Sequence, residues 1–107
     1  MDKIKKYSEA IINLLRTHGA NKIANMPKVK SRIIADVENH QYLLIWAGWD
    51  DFFYVHHVWY HFEIIDGKIW VLHNSTDVEV DKELMERGVK KADIIGAFVP
   101  DYLRDAA

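Results

Sequence analysis

Six histidines and a close pair of carboxylates are the residues of this sequence best suited to chemistry. His57 and His61 lie on the same face of a predicted strand, but they are four residues apart, which is roughly 13 Å in an extended chain. A tetrahedral zinc site needs several convergent ligands, so this pair alone cannot form one. Asp36 and Glu38 could act as general acid and base, although a polar sheet edge explains them more simply. We expect packed or surface histidines, and neither a metal nor a cofactor.

Motifs that define common enzyme sites are missing from the sequence. It has no cysteine, which excludes disulfides and thiolate metal ligands. It contains no nucleophile elbow, phosphate-binding loop or dinucleotide fingerprint. Asp50 and Asp51 lack the further oxygen ligands of a calcium loop. We therefore expect a protein that is not an enzyme.

The composition is that of one globular domain spanning residues 1–107. Half of the residues are apolar and 12% are aromatic, which is too apolar for a disordered chain. The N-terminus has no apolar segment typical of a signal peptide. No apolar run approaches the ~18 residues of a membrane span. We expect a cytoplasmic protein that does not bind membranes.

Charge is unevenly distributed along the chain. Residues 1–32 carry a net charge of +6 and the remainder −8, for a total of −2. Such asymmetry can mark a nucleic-acid contact. The candidate contacts are basic residues of the first third: Lys3, Lys5, Lys6, Lys28, Lys30 and Arg32. Because phosphate contacts dominate DNA affinity, a slightly acidic protein favours indirect or weak DNA binding.

The apolar periodicity predicts an α+β fold, with a four-stranded antiparallel meander between an N-terminal and a C-terminal helix. The first helix spans residues 2–18, with Asp2 as N-cap and Gly19 as C-cap. In the second, Thr76 and Glu79 form a capping box, and the helix continues to Arg87 before Gly88. Residues 94–98 are expected to be extended. The predicted strands are residues 31–38, 42–49, 53–65 and 68–73.

Asp66-Gly67 predicts a two-residue hairpin that fixes which strand residues face each other. It pairs Ile65 with Lys68 and His61 with Leu72, in the register that an uninterrupted ladder requires. One face is then apolar and should pack against the helices. Its members are expected to be Ile33, Ala35, Val37, Leu43, Ile45, Ala47, Val58, Tyr60, Phe62, Ile64, Ile69 and Val71.

The opposite face is then expected to carry three of the four tryptophans, together with His57, His61 and Glu63. A solvated sheet face is mainly polar, so an aromatic face is expected to be covered. The cover could be the C-terminal segment, a second subunit in a homo-oligomer, or a ligand. The candidate partner or oligomer contacts are Tyr42, Leu44, Trp46, Trp59, His61, Trp70 and Leu72.

The chain contains several short motifs whose order and spacing resemble those of the XisI-like family over nearly its whole length. They are Gly48-Trp49-Asp50, His61, Asp66-Gly67-Lys68-Ile69-Trp70-Val71, Thr76, Glu83-Leu84, Gly88-Val89, Asp93-Ile94 and Pro100. The family is named for a factor that controls excision of the fdxN element in cyanobacteria. This chain departs from its pattern after Gly48-Trp49, where an arginine-containing segment is usual and Phe52-Phe53-Tyr54 stands instead.

The resemblance implies a non-catalytic accessory or regulatory factor in site-specific DNA rearrangement. It also implies a partner, an XisH-like protein that resembles restriction-type nucleases, through which DNA would be reached. Two alternatives stay open. One is an inhibitor or antitoxin-like partner of such a nuclease, and the other is a DNA-binding module that uses the basic first third.

Overall fold

A computed structural model of the chain describes residues 2–19 and 28–97. Neither helix in these ranges is long and apolar enough to cross a membrane. A single 3₁₀ turn, Lys91–Asp93, precedes the last strand. The elements, in chain order, are α1 (Lys3–Gly19), β1 (Lys30–Asp36), β2 (Gln41–Asp50), β3 (Phe53–Ile65), β4 (Lys68–Asn74), α2 (Val80–Glu86) and β5 (Ile94–Gly96).

The strands form one sheet in the order β1-β2-β3-β4-β5. The first four are antiparallel neighbours, as predicted, and the α+β class is confirmed. The sheet has a fifth strand that the sequence analysis did not predict, because β5 pairs in parallel with β4 and places Ile94 beside Ile69. The extended segment predicted at residues 94–98 is thus a sheet edge through Gly96, and Phe98 and Pro100 lie outside the described residues.

The helices pack on one face of the sheet, which we call the helix face. Tyr7, Ile11, Leu14 and Leu15 recur at helical spacing on α1 and are at most 2% exposed. They meet the strand residues Tyr42, Leu44, Tyr60, Phe62, Ile64, Ile69 and Val71, with Val80, Leu84 and Val89 from the second helical region. Burying one such side chain stabilises the fold by about 1.5–3 kcal/mol before entropy is counted.

The first helix begins as predicted and ends differently. Asp2 caps it, because its Oδ1 accepts a hydrogen bond of 3.1 Å from the Ile4 backbone amide. Gly19 is the last helical residue and does not adopt a left-handed conformation. A Cβ at Gly19 would lie 3.2 Å from Leu44 Cδ1, so this glycine instead allows α1 to approach the sheet closely.

The predicted capping box of the second helix is wrong, and its predicted stop is confirmed. The helix begins at Val80 without a side-chain cap. Thr76 belongs to a preceding turn, where its amide and hydroxyl donate to Asn74 Oδ1 and its Oγ1 accepts from the Val78 amide. At the other end Gly88 has φ +93°, and the Val89 amide donates to the Leu84 carbonyl. This is a Schellman ending, which needs a left-handed residue at this point.

The Asp66-Gly67 hairpin is confirmed, with positive φ at both central residues and Ile65 opposite Lys68. The register then shifts between His61 and Phe62. His61 lies opposite His73 rather than the predicted Leu72, because Leu72 is an extra residue on β4.

A second bulge, at Trp59 on β3, overturns the predicted assignment of faces. Leu44 pairs with Tyr60 and Ile45 with Val58, so Trp59 has no partner on β2. In an uninterrupted ladder, Ile45 and Val58 would share a face with Tyr60. With the bulge, Tyr42 and Leu44 lie on the helix face, whereas Leu43, Ile45, Ala47 and Val58 lie on the opposite face, which we call the far face. Ile45 is buried yet absent from the helix-side core, in agreement with this placement.

The β1–β2 connection also differs from the prediction. Ile33 pairs with Leu44 and Ala35 with Tyr42, so both lie on the helix face as expected. β1 ends at Asp36, two residues before the predicted end, and a four-residue turn at 37–40 joins it to β2. Val37 lies in that turn and is 58% exposed, so its predicted place in the core is wrong.

Candidate interaction surfaces

Two of the predicted interface residues are core residues. Tyr42 is fully buried and Leu44 is 2% exposed, both beneath the helices. The Tyr42 hydroxyl donates a hydrogen bond of 2.8 Å to Ser8 Oγ on α1. Neither side chain presents a surface to a partner, because the Trp59 bulge turns them inward.

Two more of the predicted contacts, Trp46 and Trp59, join an aromatic cluster at the open end of the helix face. The Trp59 ring lies 4.8 Å from Trp46 and 4.4 Å from His57, centroid to centroid, in edge-on geometry. Trp59 also packs against the core. Its buried Nε1–H finds no hydrogen-bond partner in the described structure. Trp59 therefore connects this cluster within the β2–β3 hairpin to the core.

The other three predicted contacts, His61, Trp70 and Leu72, remain on the far face and are partly exposed. His61 Nε2 lies 2.8 Å from Gln41 Oε1 on the neighbouring strand. Burial lowers the pKa of His61, and the nearby Glu63 carboxylate opposes that effect only in part. His61 is therefore neutral at pH 7. Because Trp46 and Trp59 lie on the helix face, the far face is less aromatic than predicted.

The most exposed aromatic side chains lie at the end of the β2–β3 hairpin, a region we call the hairpin tip. Its four rings are Trp49 (55% exposed), Phe52 (90%), Phe53 (74%) and Tyr54 (58%). Trp49 and Tyr54 are opposite each other, with ring centroids 5.5 Å apart. The pairing places Trp49 and Tyr54 on the far side of the hairpin, and Phe53, opposite Asp50, on the other side. Aromatic rings this exposed and this close in sequence make the tip a candidate interaction site. The run Phe52-Phe53-Tyr54 was the sequence signal, but it was interpreted only as a departure from the family pattern.

The turn of the hairpin tip consists of Asp51 and Phe52. Asp50 pairs with Phe53, and Asp51 has φ +50°. A left-handed Asp is tolerated in such turns because its side chain is short and polar. The turn therefore holds Phe52 at the apex, where it cannot reach the core.

The base of the tip is fixed by Gly48. This residue has φ +148°, and a Cβ there would lie 2.3 Å from the Lys28 carbonyl oxygen. Only glycine allows the backbone at Lys28 to cross β2 at this distance. This close approach accompanies the burial of the next residue, Val29, which is 4% exposed.

The predicted nucleic-acid contacts do not form one surface. Lys3 lies near Gly67 and pairs with Asp93 at 3.1 Å, and Lys6 lies near Gly88, at one end of the sheet. Lys28 lies near Gly48 and Lys30 opposite Ala47, toward the other end. About seven strand residues, or roughly 23 Å, separate the two ends. Lys30 and Arg32 also lie on the far face, which α1 does not cover.

The polar clusters within the described ranges have structural partners. His18 on α1 lies 2.8 Å from Glu83 on α2, and Arg87 donates to Asn13 Oδ1 at 2.9 Å. These contacts join the two helices. Among residues 2–19 and 28–97, no group of three or more histidine or carboxylate side chains could hold a metal ion.

Proteins of known structure share this fold. A crystal structure of a XisI-like protein from Anabaena variabilis ATCC 29413 is 30% identical, with a TM-score of 0.87 over 97% of this chain and 94% of that one. The fdxN element excision controlling factor XisI from the same organism is 29% identical, with a TM-score of 0.79 over 99% and 96%. No curated protein matches the chain. The sequence profile of the family described as XisI protein matches residues 1–107. This chain belongs to the XisI family.

Proposed function

We propose that this chain is a non-catalytic accessory factor in the excision of a DNA element and that it acts by binding an XisH-like protein. Family membership and the fold shared with an excision controlling factor support the first part. The observation that carries the second part is the hairpin tip, where four aromatic side chains are more than half exposed.

The hairpin tip has the properties of a protein-binding surface. Tryptophan and tyrosine dominate the energy of most interfaces because their large rings lose little conformational entropy when they are buried. The Trp59 cluster and Gly48 hold the hairpin that presents them. Asp50 and Asp51 provide a charged rim, as in interfaces with an apolar centre. The hairpin tip therefore replaces most of the candidate partner contacts that the alternation of residues along the strands predicted.

We propose that DNA is reached through the partner rather than bound directly. The basic residues of the first third are divided between two ends of the sheet, and Lys3 is paired with Asp93. A duplex-binding surface usually concentrates its cations on one face. Electrophoretic retardation of DNA at low salt by the chain alone would contradict this part of the proposal.

The test is binding of the XisH-like protein encoded in the same cell, measured with purified proteins. The double variant Phe52→Ser/Phe53→Ser should weaken binding at least tenfold, a loss of about 1.4 kcal/mol or more. Its matched control is Val37→Ser/Ile65→Ser, which removes two exposed apolar side chains at the opposite end of the sheet. The control should bind within about twofold of the unaltered chain, because both sites lie far from the tip.

Two outcomes would overturn the proposal. If the unaltered chain fails to bind the XisH-like protein, the accessory role is wrong. If both double variants bind equally well, the tip is not the docking surface. Inhibition of the nuclease is the alternative consequence of the same docking, and co-expression distinguishes it, because an inhibitor restores growth to cells that the nuclease harms.

A further inference from the structure

Among residues 2–19 and 28–97, no strand lies beyond β1 at the outer edge of the sheet. β1 (Lys30–Asp36) pairs with β2 on one side only, and residues 32–35 are all exposed. The described structure has no backbone hydrogen bond on the other side of β1. The opposite edge of the sheet, β5, is only three residues long. The unpaired amides and carbonyls of a long edge strand are a template for another strand.

The β1 edge lacks two of the features that usually prevent pairing, although Lys30 and Arg32 are charged residues of the kind that protect edges. It contains no proline, and its register with β2 is uninterrupted from Lys30 to Asp36. Its centre is apolar, with Ile33 37% and Ile34 45% exposed. β-Branched residues in a regular strand favour pairing with a further strand.

The sequence of β1 is complementary to itself when reversed. Lys30 and Asp36 each lie three residues from Ile33. An antiparallel copy centred on Ile33 therefore places each Lys30 opposite the Asp36 of the other strand. Ile33 meets Ile33, and Ser31 meets Ala35. Opposite charges in directly facing positions stabilise a strand pair, whereas like charges destabilise it.

We propose that β1 binds β1 of a second copy of this chain, antiparallel and centred on Ile33, to form a twofold dimer with a continuous ten-stranded sheet. The pairing is isologous and closes on itself, so it stops at a dimer. It leaves the hairpin tip free, because the tip lies at the end of β2 and β3 and not along the edge. The proposal does not depend on the identity of the protein that docks at the tip.

The dimer should be moderately tight. A seven-residue strand pair, with the flanking α1 helices approaching across the axis, buries less than the ~1,200 Å² of a standard interface. We therefore expect a dissociation constant in the micromolar range, about 10⁻⁶–10⁻⁴ M. Sedimentation of the full chain over that range should show the monomer converting to a dimer.

Cysteine crosslinking tests the register without interference, because the chain has no cysteine of its own. Ile33→Cys should form an intermolecular disulfide under mild oxidation, since facing residues in a strand pair lie within about 5.5 Å at Cα. Ala35→Cys is the matched control on the same strand and the same face. In the proposed register it lies four residues from its own copy, roughly 13 Å away, and should stay reduced. Mixing Ser31→Cys with Ala35→Cys should restore crosslinking.

Charge reversal provides a second measurement. Lys30→Glu places like charges at both ends of the strand pair and should weaken dimerisation at least tenfold by sedimentation, with unchanged circular dichroism. Lys68→Glu, an equivalent reversal on another strand, should have no effect. A chain that stays monomeric at millimolar concentration would overturn the proposal. Crosslinking through Ile34→Cys instead of Ile33→Cys would overturn the register.

Discussion

The Tyr7 hydroxyl donates a hydrogen bond of 2.5 Å to Asp93 Oδ2, which joins the start of α1 to the turn before β5. Lys3 Nζ lies 3.1 Å from the same oxygen, and the Lys90 amide donates to the Tyr7 hydroxyl at 3.4 Å. The hydrogen bond from Tyr7 and the charge of Lys3 lower the pKa of Asp93, whereas burial raises the pKa of Tyr7. This contact fastens the outermost strand to the first helix.

Tyr7→Phe should destabilise the protein by about 1–3 kcal/mol, because it removes a hydrogen bond to a buried carboxylate and leaves Lys3 as the remaining side-chain donor. The free energy of unfolding in urea measures the effect. Tyr54→Phe is the control, since its hydroxyl belongs to a side chain that is 58% exposed, and it should change stability by less than about 0.5 kcal/mol. Equal stability of the two variants would mean that the Tyr7 hydroxyl contributes nothing.

Asp93 should give the fold an acid-sensitive component. Its folded pKa is lowered, so the stabilisation is present above the usual aspartate pKa and is lost as the pH falls through the lower, folded value. Asp93→Asn removes this titration. The difference in unfolding free energy between the unaltered chain and Asp93→Asn should therefore shrink from pH 5 towards pH 2. A constant difference over that range would contradict the assignment.

His61 should also lose its contribution to stability as the pH falls, but at a higher pH than Asp93. Because desolvation lowers its folded pKa, the unfolded chain binds the proton more readily. The contribution of His61 to stability is complete above about pH 6.5 and is lost as the pH falls below that value. An NMR titration should place the His61 midpoint below the ordinary histidine pKa of about 6.5. A midpoint above that value would contradict the burial of His61 on the far face.

Gly48→Ala should be among the most damaging single substitutions. Its Cβ would lie 2.3 Å from a backbone oxygen that cannot rotate away, and its φ is unfavourable for alanine. We expect a loss of at least about 2 kcal/mol in urea unfolding. Gly19→Ala is the control, because its nearest neighbour, at 3.2 Å, is the end of a leucine side chain. That variant should lie within about 1 kcal/mol of the unaltered chain, and a similar loss in both would refute the argument.

The sequence predicted the elements well where a local signal specifies them. Asp66-Gly67 requires a two-residue turn, and Gly88 requires a helix end, so both appear where expected. Asp2 likewise caps α1. The capping box at Thr76 failed because the Asn74 side chain offers the same threonine a competing set of hydrogen bonds. The choice between two local motifs depended on a residue outside the motif.

The placement of side chains on the two faces was predicted poorly, for a reason of sheet geometry. A side chain's face follows from counting residues along a ladder, and one unpaired residue reverses every assignment beyond it. The bulge at Trp59 did this for Tyr42, Leu44 and Trp46, and the bulge at Leu72 for the partner of His61. Nothing in the local sequence distinguishes Trp59 from its neighbours. The exposed hairpin tip was missed for a different reason, because the run Phe52-Phe53-Tyr54 was interpreted only as a departure from the family pattern.

The unpaired residue at Trp59 separates one indole from the pairing of its neighbours. Because Leu44 faces Tyr60 and Ile45 faces Val58, deleting Trp59 would leave both pairs intact and every side chain from Val58 back to Tyr54 on its present side. A change confined to this one position therefore alters the packing beneath the β2–β3 hairpin while the strand register and the residues shown at the tip stay the same.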